Sequence, residues 1–294
     1  MHINFALVCG SAVVGFLVGL TGMGGGALMI PMLVILFGVS PSAAISSDLV
    51  AALFMKPLGV AIHWRNKTVN TSLVRYLCYG SVPAALLGTY VMKLLGDSKS
   101  AEKHLELILG LALLVGGLAM VVRIIAPTKS DPNAPLIINR PLVIVIGAIG
   151  GFMVGLTSVG AGSMILILLS LIYPAIRSDQ LVGTDLAQSI PLTAAATVGS
   201  LLFGHVTFAL TLAIIIGSVP AVIVGSLLSS RDFNKTLRPF IASVAVLSGC
   251  KYVGMPVHEL AYVAVVLFVL AAVLAVRAHR LIQQAHEAAN DITL

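Results

Sequence analysis

The sequence is poor in charge. Of its 294 residues only 10% are Asp, Glu, Lys or Arg, against 59% that are hydrophobic, and the mean hydropathy is +1.07. A water-soluble domain carries about 25% charged residues, so a soluble globular protein is excluded. The chain is also poor in cysteine. Cys9, Cys78 and Cys250 are odd in number, each falls inside an apolar run, and no metal-like spacing links them. That excludes a disulfide framework and a cysteine-based metal site and leaves packing thiols. Other signals are missing too. No alternating apolar–polar strands suggest a β-barrel. The basic residues are scattered over loops and form no nucleic-acid surface. No phosphate-binding loop and no nucleophile–base pair stands out. Residues 1–20 lack a basic leader and an Ala-x-Ala cleavage site, which reads as a retained membrane helix and not a signal peptide. The expectation is a protein that is not an enzyme and uses no cofactor or metal.

What is present is apolar sequence in runs of about 18 to 25 residues, recurring along the whole length. The expected fold class is an all-α polytopic membrane protein. The net charge of +6 is then the mark of basic cytoplasmic loops. Two of the runs are interrupted, at Gly19-Leu20-Thr21-Gly22-Met23-Gly24-Gly25-Gly26-Ala27 and at Gly155-Leu156-Thr157-Ser158-Val159-Gly160-Ala161-Gly162-Ser163. As one helix, residues 3–38 would be about 54 Å long, against a hydrocarbon core of about 30 Å. The run must break, and the glycines mark where. Residues 3–20 and 27–37 become the arms of a broken or re-entrant helical hairpin, and the second break makes a similar hairpin.

The interruptions are copies. Phe16-x-Val18-Gly19-Leu20-Thr21 recurs 136 positions later as Phe152-x-Val154-Gly155-Leu156-Thr157. One inserted residue later the offset is 137. It aligns Ser47-Asp48-Leu49 with Thr184-Asp185-Leu186, Gly80-Ser81-Val82-Pro83-Ala84 with Gly217-Ser218-Val219-Pro220-Ala221, and Gly88 with Gly225. This predicts two repeats of about four helical segments each. Residues 1–125 form the first, 126–141 a linker with four prolines, and 142–254 the second; 255–294 add an extra C-terminal helix and a cytosolic tail. Placing the loop of Arg65, Lys67 and Arg75 inside puts Arg231, Lys235, Arg238, Arg277 and Arg280 inside as well. If each broken segment enters and leaves on one face, the repeats are inverted. If it spans fully, they are parallel.

Paired, glycine-interrupted apolar segments at matching places in two halves point to a transporter binding site. Backbone at a helix start presents free N–H groups and partial positive charge, and glycine lets a ligand approach it closely. The candidate substrate-binding residues are Thr21, Gly24, Gly25 and Gly26 in the first copy. In the second they are Thr157, Ser158, Gly160, Gly162 and Ser163, joined by Gln188 on the following segment. The competing reading is that these glycines only permit close helix packing. Asp48 and Asp185 occupy matching positions, and ionisable groups inside a membrane are functional candidates by default. They can take up protons and couple transport to a gradient, or they can cap the starts of their helices. Lys56 can pair with Asp48, line an anion path, or snorkel to the interface.

These motifs resemble the sulfite exporter TauE/SafE family of membrane transporter proteins. The resemblance rests on the doubled glycine break, on Gly183-Thr184-Asp185-Leu186 and on the twin Gly-Ser-Val-Pro-Ala motifs, and it covers residues 5–254. It implies a multi-pass permease of the plasma (inner) membrane with a cytoplasmic C-terminus, moving sulfite, a sulfonate or a related small anion. The expected partners are that anion, the lipid bilayer and, as candidate coupling ions, protons. Nucleic acid is not expected, and a homo-oligomer is compatible with the reading. Alternating access by a secondary transporter is the expected mechanism; the alternative is a passive anion channel.

Overall fold

A computed structural model describes residues 4–21, 25–65, 69–96, 99–125, 138–159, 164–173, 176, 178–228 and 231–291. Among them every regular element is helical. In chain order these are α1 (Phe5–Thr21), α2 (Gly26–Pro31), a π-helical turn (Met32–Leu36), α3 (Pro41–Arg65), α4 (Thr71–Gly96) and α5 (Lys99–Ile125). Then come α6 (Arg140–Thr157), α7 (Leu166–Ile172), α8 (Ser178–Phe203), α9 (Phe208–Leu227), α10 (Arg231–Tyr252) and α11 (Val257–Asp291). Among the described residues five stretches are long and apolar enough to cross a bilayer: Glu102–Val122, Arg140–Thr157, Gln180–Phe203, Phe208–Leu228 and Val257–Val276. The protein is an all-α polytopic membrane protein, as its composition requires. Hydrocarbon offers backbone groups no water, so a spanning chain must satisfy them internally.

Both interrupted runs are interrupted in space. α1 stops at Thr21 and the chain resumes helix at Gly26; α6 stops at Thr157 and α7 begins at Leu166. Each first arm ends with the same device. The Thr21 hydroxyl donates to the Leu17 carbonyl oxygen and the Thr157 hydroxyl to that of Met153, both at 2.7 Å. A hydroxyl bonded four residues back competes with the helix ladder and helps end it. The return arm of the first hairpin loosens into a π turn and closes at Gly38, which has φ +65. That left-handed conformation favours glycine.

The long packing interfaces join elements from different ends of the chain. α4 lies along α6, α1 along α9 and α5 along α10, while α8 packs on both α3 and α4. Glycines mark the closest crossings. A Cβ added at Gly151 would sit 2.3 Å from the Ser81 carbonyl oxygen, and one at Gly155 2.1 Å from that of Ala85. On the other interface Gly15 abuts Ser218 and Gly19 abuts Val222 in the same way, at 2.6 and 2.3 Å. In lipid, where helices gain nothing by hiding apolar surface from one another, such backbone-to-backbone approach supplies the dispersion contacts that hold them. A sign test follows. Gly→Ala in an exposed helix stabilises by roughly 1 kcal/mol; Gly151→Ala should instead destabilise by about 1–3 kcal/mol through overpacking. Equilibrium unfolding in detergent reads the difference, and an unchanged or raised stability would contradict the crossing.

α11 packs on α10, with most of its apolar stretch Val257–Val276 left exposed. Tyr262, Val265 and Val266 stand exposed along it. In water such a face would be an association site; in a bilayer it is lipid contact. The three cysteines are unpaired, and Cys9 is exposed on α1.

Candidate functional site

The two breaks meet. A Cβ built on Gly26 would lie 2.0 Å from the carbonyl oxygen of Ser158 and 3.4 Å from Oδ2 of Asp48. The start of α2, the end of α6 and the third turn of α3 therefore share one point. Ser158 sits there in the left-handed region at φ 57, closing α6 with its N–H on the Val154 carbonyl oxygen. Its hydroxyl donates to Asp48 Oδ2 at 2.7 Å. Gly25, one residue before the contact, has more room: a Cβ there would lie 3.7 Å from Met55 and from Val18, ordinary contact distances.

Asp48 is fully buried and Asp185 nearly so, at 0% and 3% exposure. The capping alternative falls here. Each aspartate is the eighth residue of its helix, α3 from Pro41 and α8 from Ser178, about one and a half turns beyond the donors that a capping side chain satisfies. Asp48 Oδ1 has no hydrogen-bond partner among the described residues. Lys56 is half-buried and turns toward α8. Its ammonium donates to Thr193 Oγ1 on α8 and interacts electrostatically with Asp185 and Asp48. Two buried carboxylates and one half-buried ammonium thus interact between α3 and α8.

Gln188 is fully buried and donates from Nε2 to Ser81 Oγ at 2.7 Å, bridging α8 to α4; its Oε1 has no partner among the described residues. Thr197 Oγ1 donates to the Leu49 carbonyl oxygen at 2.9 Å. At the helix ends, Asn70 N–H donates to Thr184 Oγ1 and Thr207 N–H to Ser47 Oγ, at 3.0 and 3.4 Å.

Of the candidate residues, Gly25, Gly26, Ser158 and Asp48 share one neighbourhood, and Asp185 joins it through Lys56. Thr21 and Thr157 have their hydroxyl protons turned onto their own helices, so here they act as helix stops. Gly24, Gly160, Gly162 and Ser163 lie outside the described residues. Sequence reasoning missed Ser81 as the partner of Gln188 and Thr193 as the partner of Lys56. The signal for the second pair was available: Lys56 and Thr193 are 137 positions apart, the repeat offset itself. Among the described residues no group of three His, Cys, Asp or Glu is placed to hold a metal ion.

The chain matches the family model described as sulfite exporter TauE/SafE over residues 7–252. It is similar to the probable membrane transporter protein YjnA of Bacillus subtilis (strain 168), with 40% identity over 82% of this chain and 96% of that protein. It is also similar to the probable membrane transporter protein YunE of the same organism, with 24% identity over 84% of this chain and 96% of that one. No solved structure matches. The family match spans both breaks, both buried aspartates and all the helix interfaces described above except that of α11, and on that ground the chain belongs to the sulfite exporter TauE/SafE family of membrane transporters.

Proposed function

We propose that this protein is a secondary transporter, and not an enzyme, that carries a small oxyanion, sulfite or an organosulfonate, across the plasma membrane by alternating access. The observation that carries the reading is the meeting of the two helix breaks at Gly26 and Ser158, beside Asp48, with Lys56 and Asp185 in the same buried layer. Broken helices that converge inside a membrane cost backbone hydrogen bonds, and transporters place substrate where those bonds are missing. Lys56 supplies the positive charge and Ser158 the hydroxyl that a tetrahedral sulfur oxyanion calls for.

The proposed organisation has two inverted repeats, 1–125 and 142–254, joined by the linker 126–141, with 255–294 as an added helix and cytoplasmic tail. Recurrent contacts support it. Gly15 meets Ser218 as Gly151 meets Ser81, and Gly19 meets Val222 as Gly155 meets Ala85. The bonds from Asn70 to Thr184 and from Thr207 to Ser47 exchange in the same manner. Contact between Lys56 and its own repeat equivalent, Thr193, is what a two-fold axis through this layer would produce. Motion of one half against the other about that axis would expose the site to either side in turn.

Flux in proteoliposomes tests the function. Purified protein should move sulfite or methanesulfonate saturably and, with an imposed proton gradient, against the anion gradient. Fast flux that is indifferent to the proton gradient and never concentrative would make the protein a passive anion channel. Absence of flux for either anion would remove the sulfur-oxyanion reading.

A further inference from the structure

Ser158 occupies a position that ordinarily belongs to glycine. Its φ of 57 is left-handed, a conformation that strains a residue with a Cβ. The matching residue of the first break is a glycine, Gly22. What the serine adds is a hydroxyl, and that hydroxyl is spent on Asp48 Oδ2. Strain kept at one residue for a single side-chain contact is a reason to look for function. A carboxylate and a sulfonate or sulfite present the same face to a donor: oxygens sharing negative charge. Asp48 therefore takes from Ser158 the bond that the proposed substrate would need.

We propose that Asp48 is a built-in competitor of the substrate, holding the Ser158 hydroxyl as an oxyanion would, so that each anion that binds must bring one proton to Asp48. This rests on the anion-carrier reading above. Charge arithmetic argues for the proton. Asp48, Asp185 and Lys56 sum to one negative charge when all are ionised. A monoanion added alone would double it in a buried layer, where unpaired charge is costly. A monoanion that arrives with a proton leaves the sum unchanged. The proton neutralises the carboxylate, releases the serine hydroxyl to the anion, and leaves Lys56 for the anion to share with Asp185.

The surroundings single out Asp48. Lys56 is on its own helix and Asp185 faces Lys56 from α8. α2, the π-helical turn and α9 carry no ionisable residue. The described charged or histidine side chains of α4, α5 and α6 are Arg75, Lys93, Glu102, Lys103, His104, Glu106 and Arg140, and the charge that acts on Asp48 is that of Lys56. Asp48 is the aspartate that accepts the Ser158 hydroxyl, a side chain for which the first break has Gly22 in sequence. Coupling is thus assigned to one of two aspartates that the repeat makes equivalent.

The test uses the full chain in detergent or nanodiscs, with methanesulfonate as probe because its sulfonate stays ionised at every working pH. In the wild type, Kd should rise with pH by a factor approaching ten per unit, the signature of one linked proton. About one proton should be taken up per anion bound in weak buffer. Asp48→Asn should flatten the pH dependence and abolish the uptake; Asp185→Asn should keep both. Ser158→Gly, which suits the left-handed backbone and so folds, should weaken binding about tenfold or more. No methanesulfonate binding by the wild type would sink the anion reading itself. Binding in the wild type with a flat pH dependence, with uptake retained in Asp48→Asn, or with uptake lost in Asp185→Asn would overturn the assignment of the proton to Asp48 while leaving the carrier in place. Wild-type affinity in Ser158→Gly would overturn the competition for its hydroxyl.

Discussion

Gly26→Ala is expected to lower transport about a hundredfold, while Gly25→Ala, one residue earlier, stays within about twofold of wild type. The two substitutions add the same methyl group to the same short segment and differ only in what it meets. At Gly26 the methyl would lie 2.0 Å from a backbone oxygen, that of Ser158, and 3.4 Å from the Asp48 carboxylate. Real side chains do not approach a carbonyl so closely, and the oxygen belongs to a residue already held in the left-handed region. The breaks would have to part by an ångström or more. Overpacking of this kind costs about 1–3 kcal/mol in stability, and displacement of that size at a binding constellation costs about two orders of magnitude in rate. At Gly25 the nearest atoms, on Met55 and Val18, are 3.7 Å away. Initial rates in proteoliposomes, with thermal unfolding as a control, separate the pair. Equal rates for the two variants would mean that the meeting point of the breaks is not where substrate passes.

Lys56→Met is expected to be the most destabilising single change in the buried charge layer, by about 3–5 kcal/mol. The substitution keeps much of the apolar stem and removes only the ammonium. Asp185 and Asp48 then lose the cation with which both interact, and Thr193 loses its donor. The diagnostic is the second substitution. Asp185→Asn placed on Lys56→Met removes the uncompensated charge and should recover more than half of the lost stability, although Asp185→Asn alone should destabilise. Residues in one charged network couple in this non-additive way. The cycle is read by equilibrium unfolding in detergent. Additive losses would show that Lys56 acts through packing alone.

The separate fates of the glycines explain what could be read in advance. Glycines in a greasy run announce two different things, a broken helix or a close crossing, and local sequence does not distinguish them. Gly26 belongs to the break, and Gly80, Gly88, Gly217 and Gly225 to crossings, where an added Cβ would come within 2.4 Å of a carbonyl on the facing helix. The Gly-Ser-Val-Pro-Ala copies were visible as motifs. That their glycines seat helices, and that Ser81 receives Gln188, needed the neighbouring helix in place. The aspartates show the same limit. Ser-Asp and Thr-Asp near the start of an apolar run read equally well as caps or as buried groups, and the answer came from helix starts seven residues upstream, at Pro41 and Ser178.

The sequence by itself determined the class of protein, the places where two helices stop, and which side chains carry charge into the apolar interior. Those follow from rules that act locally: hydrocarbon excludes charge and unsatisfied backbone, and a helix of known rise either fits the bilayer or breaks. Tertiary structure alone decided which hydroxyls serve their own helix and which reach a partner. Thr21 and Thr157 turn back four residues, whereas Ser158 reaches Asp48 across 110 positions and Lys56 reaches Thr193 across 137. A hydroxyl has one proton to give, and where it goes is fixed by the acceptor that packing brings within 3 Å, which no local pattern in the chain specifies.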